Sequence, residues 1–296
     1  MNHDPRNPFT LDRTLVRRSF DRASRSYDHA AVLQARVREQ LMQRLELVRI
    51  DPAFVVDAGA GTGHASRELK RHYRKACVIA LDVSPAMLGE ARRQQGLLRR
   101  FDRLCADAAH LPLADASVDL IYSNLMLQWC DDIDAVFAEV RRVLKPHGLL
   151  TFSTLGPDTL RELRSAWAAV DGHVHVNRFL DMHDIGDALV RAGLAEPVLD
   201  VERYTLTYDD TLALMRDLKA IGAHNVTAGR PSGLTGRGRL ASMSAAYEAS
   251  RRDGKLPATF EVVFGQAWGR TGQRRPDGPH ETHVAVSSIG RRRGSK

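Results

Sequence analysis

The stretch VVDAGAGTGHASREL, Val55 to Leu69, constrains this chain more than any other. An apolar run ends on Asp57, glycines follow at Gly59, Gly61 and Gly63, and a helix-forming segment begins at once. Alternate glycines between a strand and a helix let the backbone take positive φ and approach a ligand closely. The spacing is G-x-G-x-G rather than the G-x-G-x-x-G of a dinucleotide turn, so a nucleotide-like ligand is implied but not chosen.

The neighbouring sequence repeats the strand-then-helix pattern. Apolar spacing over Val32–Val48 predicts a helix stopped by RIDP. FVVDAG, CVIALD, FDRLCAD, SVDLIYSN and LLTFSTL read as strands. Between them, HASRELKRHY and SPAMLGEARRQ read as helices, the second capped by Ser84 with Pro85 at its first position. DIDAVFAEVRRVL is a further helix, expected to close at the turn KPHG. Such alternation predicts an α/β fold, a Rossmann-like and mostly parallel sheet with helices on both faces. After Leu155 two helices flank the loop DGHVHVNRFL, and PVLDVERYTLTY and TFEVVFGQAWG are expected as antiparallel strands that finish the sheet. The segment between them, about 207–257, is expected to be a helical cap insertion beside the ligand. The organisation predicted is a helical segment at 1–49, the α/β domain at 50–269 and a basic, disordered tail at 270–296.

Composition narrows the function. Of the formal charge of +7, a net +5 lies in residues 270–296, so the basic character belongs to a tail rather than to a nucleic-acid surface. No apolar stretch reaches membrane-spanning length, and a cytoplasmic protein with no secretory leader and no membrane or nucleic-acid partners is expected. Cys77, Cys105 and Cys130 are widely spaced and are expected as free thiols. The pair His173 and His175, with His183 further on, lacks a clear third ligand, and no metal is expected.

Three acids end three successive strands. Asp57 precedes the glycine turn, Asp82 ends the second strand and can accept both hydroxyls of an adenosine ribose, and Asp107 follows the third where an adenine amine would lie. Asp57 would repel a pyrophosphate but favour a ligand with cationic centres. S-adenosylmethionine carries a sulfonium, an amino acid and an adenosine, and matches all three acids.

The ordered set VVDAGAGTG, ALDVSPAML, CADAAHLPL, SVDLIYSNLMLQWC and VLKPHGLL resembles the class I S-adenosylmethionine-dependent methyltransferases over about Val55 to Leu150. The resemblance implies cofactor contacts from Asp57, Gly59, Gly61, Gly63, Asp82, Val83, Met87, Asp107, Ala108 and Asn124. The segment after the fourth strand reads SNLMLQW and lacks the Asn/Asp-Pro-Pro-aromatic turn of base-amine methylation.

Outside that half, SFDRASRSYDHAAVLQ, AWAAVDGHVHVNRFL and MRDLKAIGAHNVTAGR resemble the malonyl-acyl carrier protein O-methyltransferase family of the biotin pathway, over roughly Asp12 to Gly269. The resemblance implies methyl esterification of the free carboxylate of a malonyl thioester, on the carrier protein or coenzyme A, at the opening of pimeloyl synthesis. A carboxylate is ionised at neutral pH and needs no general base, which suits a sequence without an evident His–acid pair. The expected catalytic set is Tyr27 closing over the methyl donor, Arg178 gripping the carboxylate, and Asn124 and Gln128 after the fourth strand, with Trp129 beside them. Arg216, Lys219, Arg230 and Arg237 are candidates for a basic rim facing an acidic carrier, and a monomer is expected. Two alternatives stand: a related arginine hydroxylase that assembles a respiratory complex, or a non-catalytic module binding S-adenosylmethionine or RNA.

Overall fold

This computed structural model describes residues 9–270, apart from 97, 224, 231, 232 and 234. The expected tail at 270–296 thus lies, from 271 on, outside the described residues. Seven strands form one sheet in the order β3-β2-β1-β4-β5-β7-β6. They are β1 Phe54–Ala58, β2 Cys77–Asp82, β3 Asp102–Cys105, β4 Val118–Asn124, β5 Leu144–Leu155, β6 Ala195–Tyr208 and β7 Leu256–Trp268. The first five are parallel to one another, and β7 runs antiparallel to both β5 and β6. The apolar runs of β1 and β4 pack on both faces, as strands inside a helix-covered parallel sheet must: Val55 and Leu120 face one core, Val56 and Ile121 the other. Strand order reverses between β1 and β4, and that switch point opens a crevice at the strands' carboxyl ends.

Helices α4 (His64–His72), α5 (Pro85–Gln94) and α6 (Ile133–Val143) make the crossovers. Ser84 caps α5 through Oγ, which accepts from the Met87 N–H at 3.1 Å, and Asp132 caps α6 in the same manner through Ala135. Lys145–Gly148, expected as a turn, instead enters β5: the register shifts between Val118 and Leu120, and His147 takes a left-handed φ of 61°. The N–H of His147 bonds Gly269 O at 2.9 Å and that of Gly269 bonds Gly148 O at 2.7 Å, so the end of β7 draws the would-be turn into the sheet.

The amino-terminal segment folds over the crevice as α1 (Arg13–Ala23), α2 (Tyr27–Ala30) and α3 (Val32–Glu46). Burial of Leu33, Val37, Leu41 and Leu45 along one stripe anchors α3, each side chain contributing about 1.5–3 kcal/mol. Polar bonds hold the rest to the crevice rim. Ser84 Oγ donates to Asp21 at 2.6 Å, and Thr62 Oγ1 and Gln94 Nε2 both donate to Asp28 at 2.6 Å. Helices α7 (Arg161–Ala168) and α8 (Met182–Arg191) follow β5. Between β6 and β7 lie α9 (Thr211–Ala220) and α10 (Arg237–Glu248), at the place expected for an insertion. This insertion is tied to the amino-terminal segment: Leu11 bridges Thr227, Asp12 N–H bonds Val226 O at 3.1 Å, and Ala228 N–H bonds Thr10 O at 2.9 Å.

Candidate functional site

Two cavities open at the carboxyl end of the sheet. The first, about 910 Å³, is lined by Gly59, Gly61, Asp82, Val83, Met87, Asp107, Ala108 and Asn124, all expected from sequence, and by Tyr27. The second, about 770 Å³, lies beneath the insertion and includes Tyr27, Gln128 and Trp129. Phe20, Tyr27, Leu125 and Trp129 line both, so the cavities meet at these four side chains. Phe20 and Trp129 stand edge to face there, ring centroids 5.2 Å apart.

The glycine turn forms the floor of the first cavity. Gly59 has φ 75°, and a Cβ on it would fall 2.4 Å from Met126 Cγ. Gly61 has φ 53° and open space where a Cβ would be, which leaves its backbone bare to the cavity. Asp82 organises this floor: its carboxylate accepts from Gly61 N–H at 2.9 Å and from Ser84 N–H at 2.8 Å. Burial raises the Asp82 carboxyl above the usual range, against the pull of those N–H groups.

Asp57 and Gly63 line neither cavity. Asp57 is buried beneath the turn, where Ser66 Oγ donates to it. Burial is the largest influence on its carboxyl and, with nearby Asp82, pushes it up to about 7 in spite of the serine. Gly63 opens α4 at φ 78°, against Ala91 and Phe101. Asp107 bonds Ala109 N–H at 2.9 Å and meets Arg13 at 3.3 Å. Asn124, at the end of β4, donates to Gln34 O at 3.1 Å and accepts from Ser153 Oγ at 2.9 Å. Gln128 donates to Leu125 O at 2.7 Å and accepts from Thr154 Oγ1 at 3.2 Å. Burial lifts the Tyr27 phenol well above its ordinary range, keeping it protonated. Cys130 borders the first cavity, and burial pushes its thiol up to about 12, which makes it a poor nucleophile.

Arg178 is exposed, its guanidinium 5.7 Å from the Phe9 ring centroid, and it lines neither cavity. The residues that line the second cavity from the same loop are His175, Val176, Asn177 and Phe179. Asp171 accepts from His175 Nε2 at 2.7 Å, a His–acid pair that no spacing rule in the sequence had marked. Phe20 was also unmarked; its signal was its position on the amphipathic stripe of α1, which reads equally as packing. Among the described residues no cluster of three or more His, Cys, Asp or Glu side chains is arranged to hold a metal ion. No helix among them is long and apolar enough to cross a membrane.

A reversed-order parallel sheet, a glycine turn floored by acids and a second cavity meeting the first define a class I methyltransferase, and comparison agrees. The family model described as a methyltransferase domain matches residues 56–152. The YcgJ protein of Bacillus subtilis shares the fold at a TM-score of 0.55 and 18% identity, covering 79% of this chain and 99% of that one. Among curated sequences, a malonyl-acyl carrier protein O-methyltransferase of Methylovorus is 58% identical over 266 residues, 88% of this chain and 90% of its own. That of Halorhodospira halophila is 49% identical over 293 residues, 98% of this chain and 99% of its own. The chain therefore belongs to the malonyl-acyl carrier protein O-methyltransferase family.

Proposed function

We propose that this enzyme esterifies the free carboxylate of a malonyl thioester carried on acyl carrier protein, with the first cavity holding S-adenosylmethionine and the second the malonyl group. The meeting of the cavities at Phe20, Tyr27, Leu125 and Trp129 carries the reading. Methyl transfer requires donor and acceptor to face one another in line with water excluded, and aromatic walls at a junction supply that.

The residues of the first cavity fit the donor. Asp82 stands where it can accept the ribose hydroxyls, and the bare backbone at Gly61 can take the methionine portion. Asp107 and the backbone near Ala108 face the base, while Val83 and Met87 flank it. Asp57, buried below, favours the ligand's positive charge through the turn. When bound, S-adenosylmethionine supplies a methyl group made electrophilic by the sulfonium. A carboxylate oxygen of the acceptor forms the new C–O bond as the C–S bond breaks, and the electron pair goes to sulfur. No proton moves in that step, so the enzyme needs no general base. Tyr27, with Asn124 and Gln128, shapes the junction and orients the acceptor.

Leu218 of α9, with Ile221, Ala223 and Asn225 after it, covers the malonyl cavity. Arg216 and Lys219 border a shallow groove with Leu212, Met215 and Leu240. With exposed Arg230 and Arg237 they give an acidic carrier a basic rim. The deciding experiment incubates the protein with methyl-labelled S-adenosylmethionine and malonyl carrier protein. A base-labile label and a methyl-sized mass increase on the acyl group are expected. No transfer to malonate would refute the reading, and an oxygen-sized increase on arginine of a respiratory subunit would favour the hydroxylase alternative.

A further inference from the structure

The malonyl cavity is built mostly of apolar and uncharged side chains, yet the reading above asks it to hold a carboxylate. Among the described residues lining it, His175 alone can carry positive charge. Its ring is fixed from two sides. Nε2 bonds Asp171 at 2.7 Å, and the ring stacks on Trp167 with centroids 3.7 Å apart and planes 6° from parallel. That leaves Nδ1 as the nitrogen not engaged by Asp171. Two residues on, Asn177 is 7% exposed and lines the same cavity. Its Oδ1 is buried with no hydrogen-bond partner. A buried amide oxygen without a partner is costly to leave unpaired, and an amide can turn either end to a ligand.

Resting on the functional reading given above, we propose that His175, positioned by Asp171, and Asn177 form the malonyl carboxylate receptor. One carboxylate oxygen receives N–H donors from the His175 Nδ1 and Asn177 Nδ2 atoms, and the other is left free to meet the methyl group. Donation from both nitrogens is the cationic form of the ring, the positive charge that the lining of this cavity has to offer a carboxylate. The remaining charged group on this assembly is Arg239 of α10, which meets Asp171 at 3.5 Å and links the receptor to the insertion. The arrangement grips the acceptor through one oxygen without masking the nucleophile. Asp171 is a positioning residue, since it acts through His175.

Binding, rather than turnover alone, tests this. Malonyl carrier protein and acetyl carrier protein, which differ by the carboxylate, are titrated separately into the enzyme with S-adenosylhomocysteine present. The wild type is expected to prefer the malonyl form. Asn177→Asp places a like charge in an isosteric side chain and should weaken malonyl binding about ten- to a hundredfold, with acetyl binding and S-adenosylhomocysteine affinity unchanged. His175→Gln should also erase the preference. If His175→Gln does not fold, retained S-adenosylhomocysteine affinity in Asn177→Asp keeps the test valid. A malonyl preference that survives Asn177→Asp, or that is lost in Arg178→Ala but not in Asn177→Asp, overturns the proposal. Failure of the wild type to esterify malonyl carrier protein would strike the functional reading instead, and the titrations would still report on the receptor.

Discussion

Asp57 should make S-adenosylmethionine binding depend on pH, with a sign and size that follow from its surroundings. Its carboxyl titrates at about 7 because it is buried and faces Asp82, with Ser66 as its hydrogen-bond donor. S-adenosylmethionine carries a net positive charge, so its arrival favours the ionised carboxylate and lowers that value. A proton must therefore leave on binding, and affinity must rise with pH. Between pH 6 and pH 8 the ionised fraction of such a group rises from roughly one-tenth to nine-tenths, so the dissociation constant should fall about tenfold. Isothermal titration at pH 6 in two buffers of different ionisation enthalpy should show release of close to one proton. Asp57→Asn keeps the bond from Ser66 but cannot ionise, and its dissociation constant should vary much less across the same range. A wild-type constant that is flat from pH 6 to 8, or an Asp57→Asn variant with the full tenfold change, would refute the reasoning.

The same residue bears on stability. Its folded value of about 7 lies above the ordinary 3.8. Its stabilising contribution is therefore complete below the unfolded value and is lost as pH rises through 7, by about 1.4 kcal/mol per pH unit. The ligand-free wild type should melt at lower temperature at pH 8 than at pH 5, and Asp57→Asn should show a smaller drop in calorimetry. Asp82→Asn, which retains one oxygen for the two N–H groups of Gly61 and Ser84, should weaken S-adenosylmethionine binding about ten- to a hundredfold. An unchanged constant by equilibrium dialysis would remove Asp82 from the donor site. Trp129→Ala opens the wall shared by the cavities and should lower kcat about tenfold or more at saturating donor, with a smaller change in donor affinity; a reversed split in steady-state kinetics would show that the ring only packs.

The lining of the first cavity was legible in the sequence because its signals are local. Gly59 and Gly61, Ser84 as a cap and Asp82 at a strand end each sit where backbone geometry dictates side-chain direction, so spacing alone brings them together. The lining of the second cavity was less legible. The loop 171–181 is not regular, so no periodicity tells which of its residues face inward. Charge singled out Arg178, whereas the backbone carries Asn177 into the cavity and leaves Arg178 at the surface. Asp171 and His175 meet across four residues, a spacing that means contact in a helix but nothing in a loop. The KPHG segment shows the complementary failure: its turn-forming residues were overridden by Gly269, which follows the end of a strand distant in sequence. Phe20 became meaningful only when α1 was seen to lie over the crevice, where it faces Trp129.

The seam between Leu11 and Thr227 joins the roof of the first cavity to the roof of the second. Neither roof can swing alone without breaking the backbone bonds from Asp12 to Val226 and from Ala228 to Thr10. A docked thioester that holds the insertion down therefore also keeps the spent sulfur compound indoors, and S-adenosylhomocysteine should dissociate more slowly when a non-reactive acyl carrier is present than when it is absent.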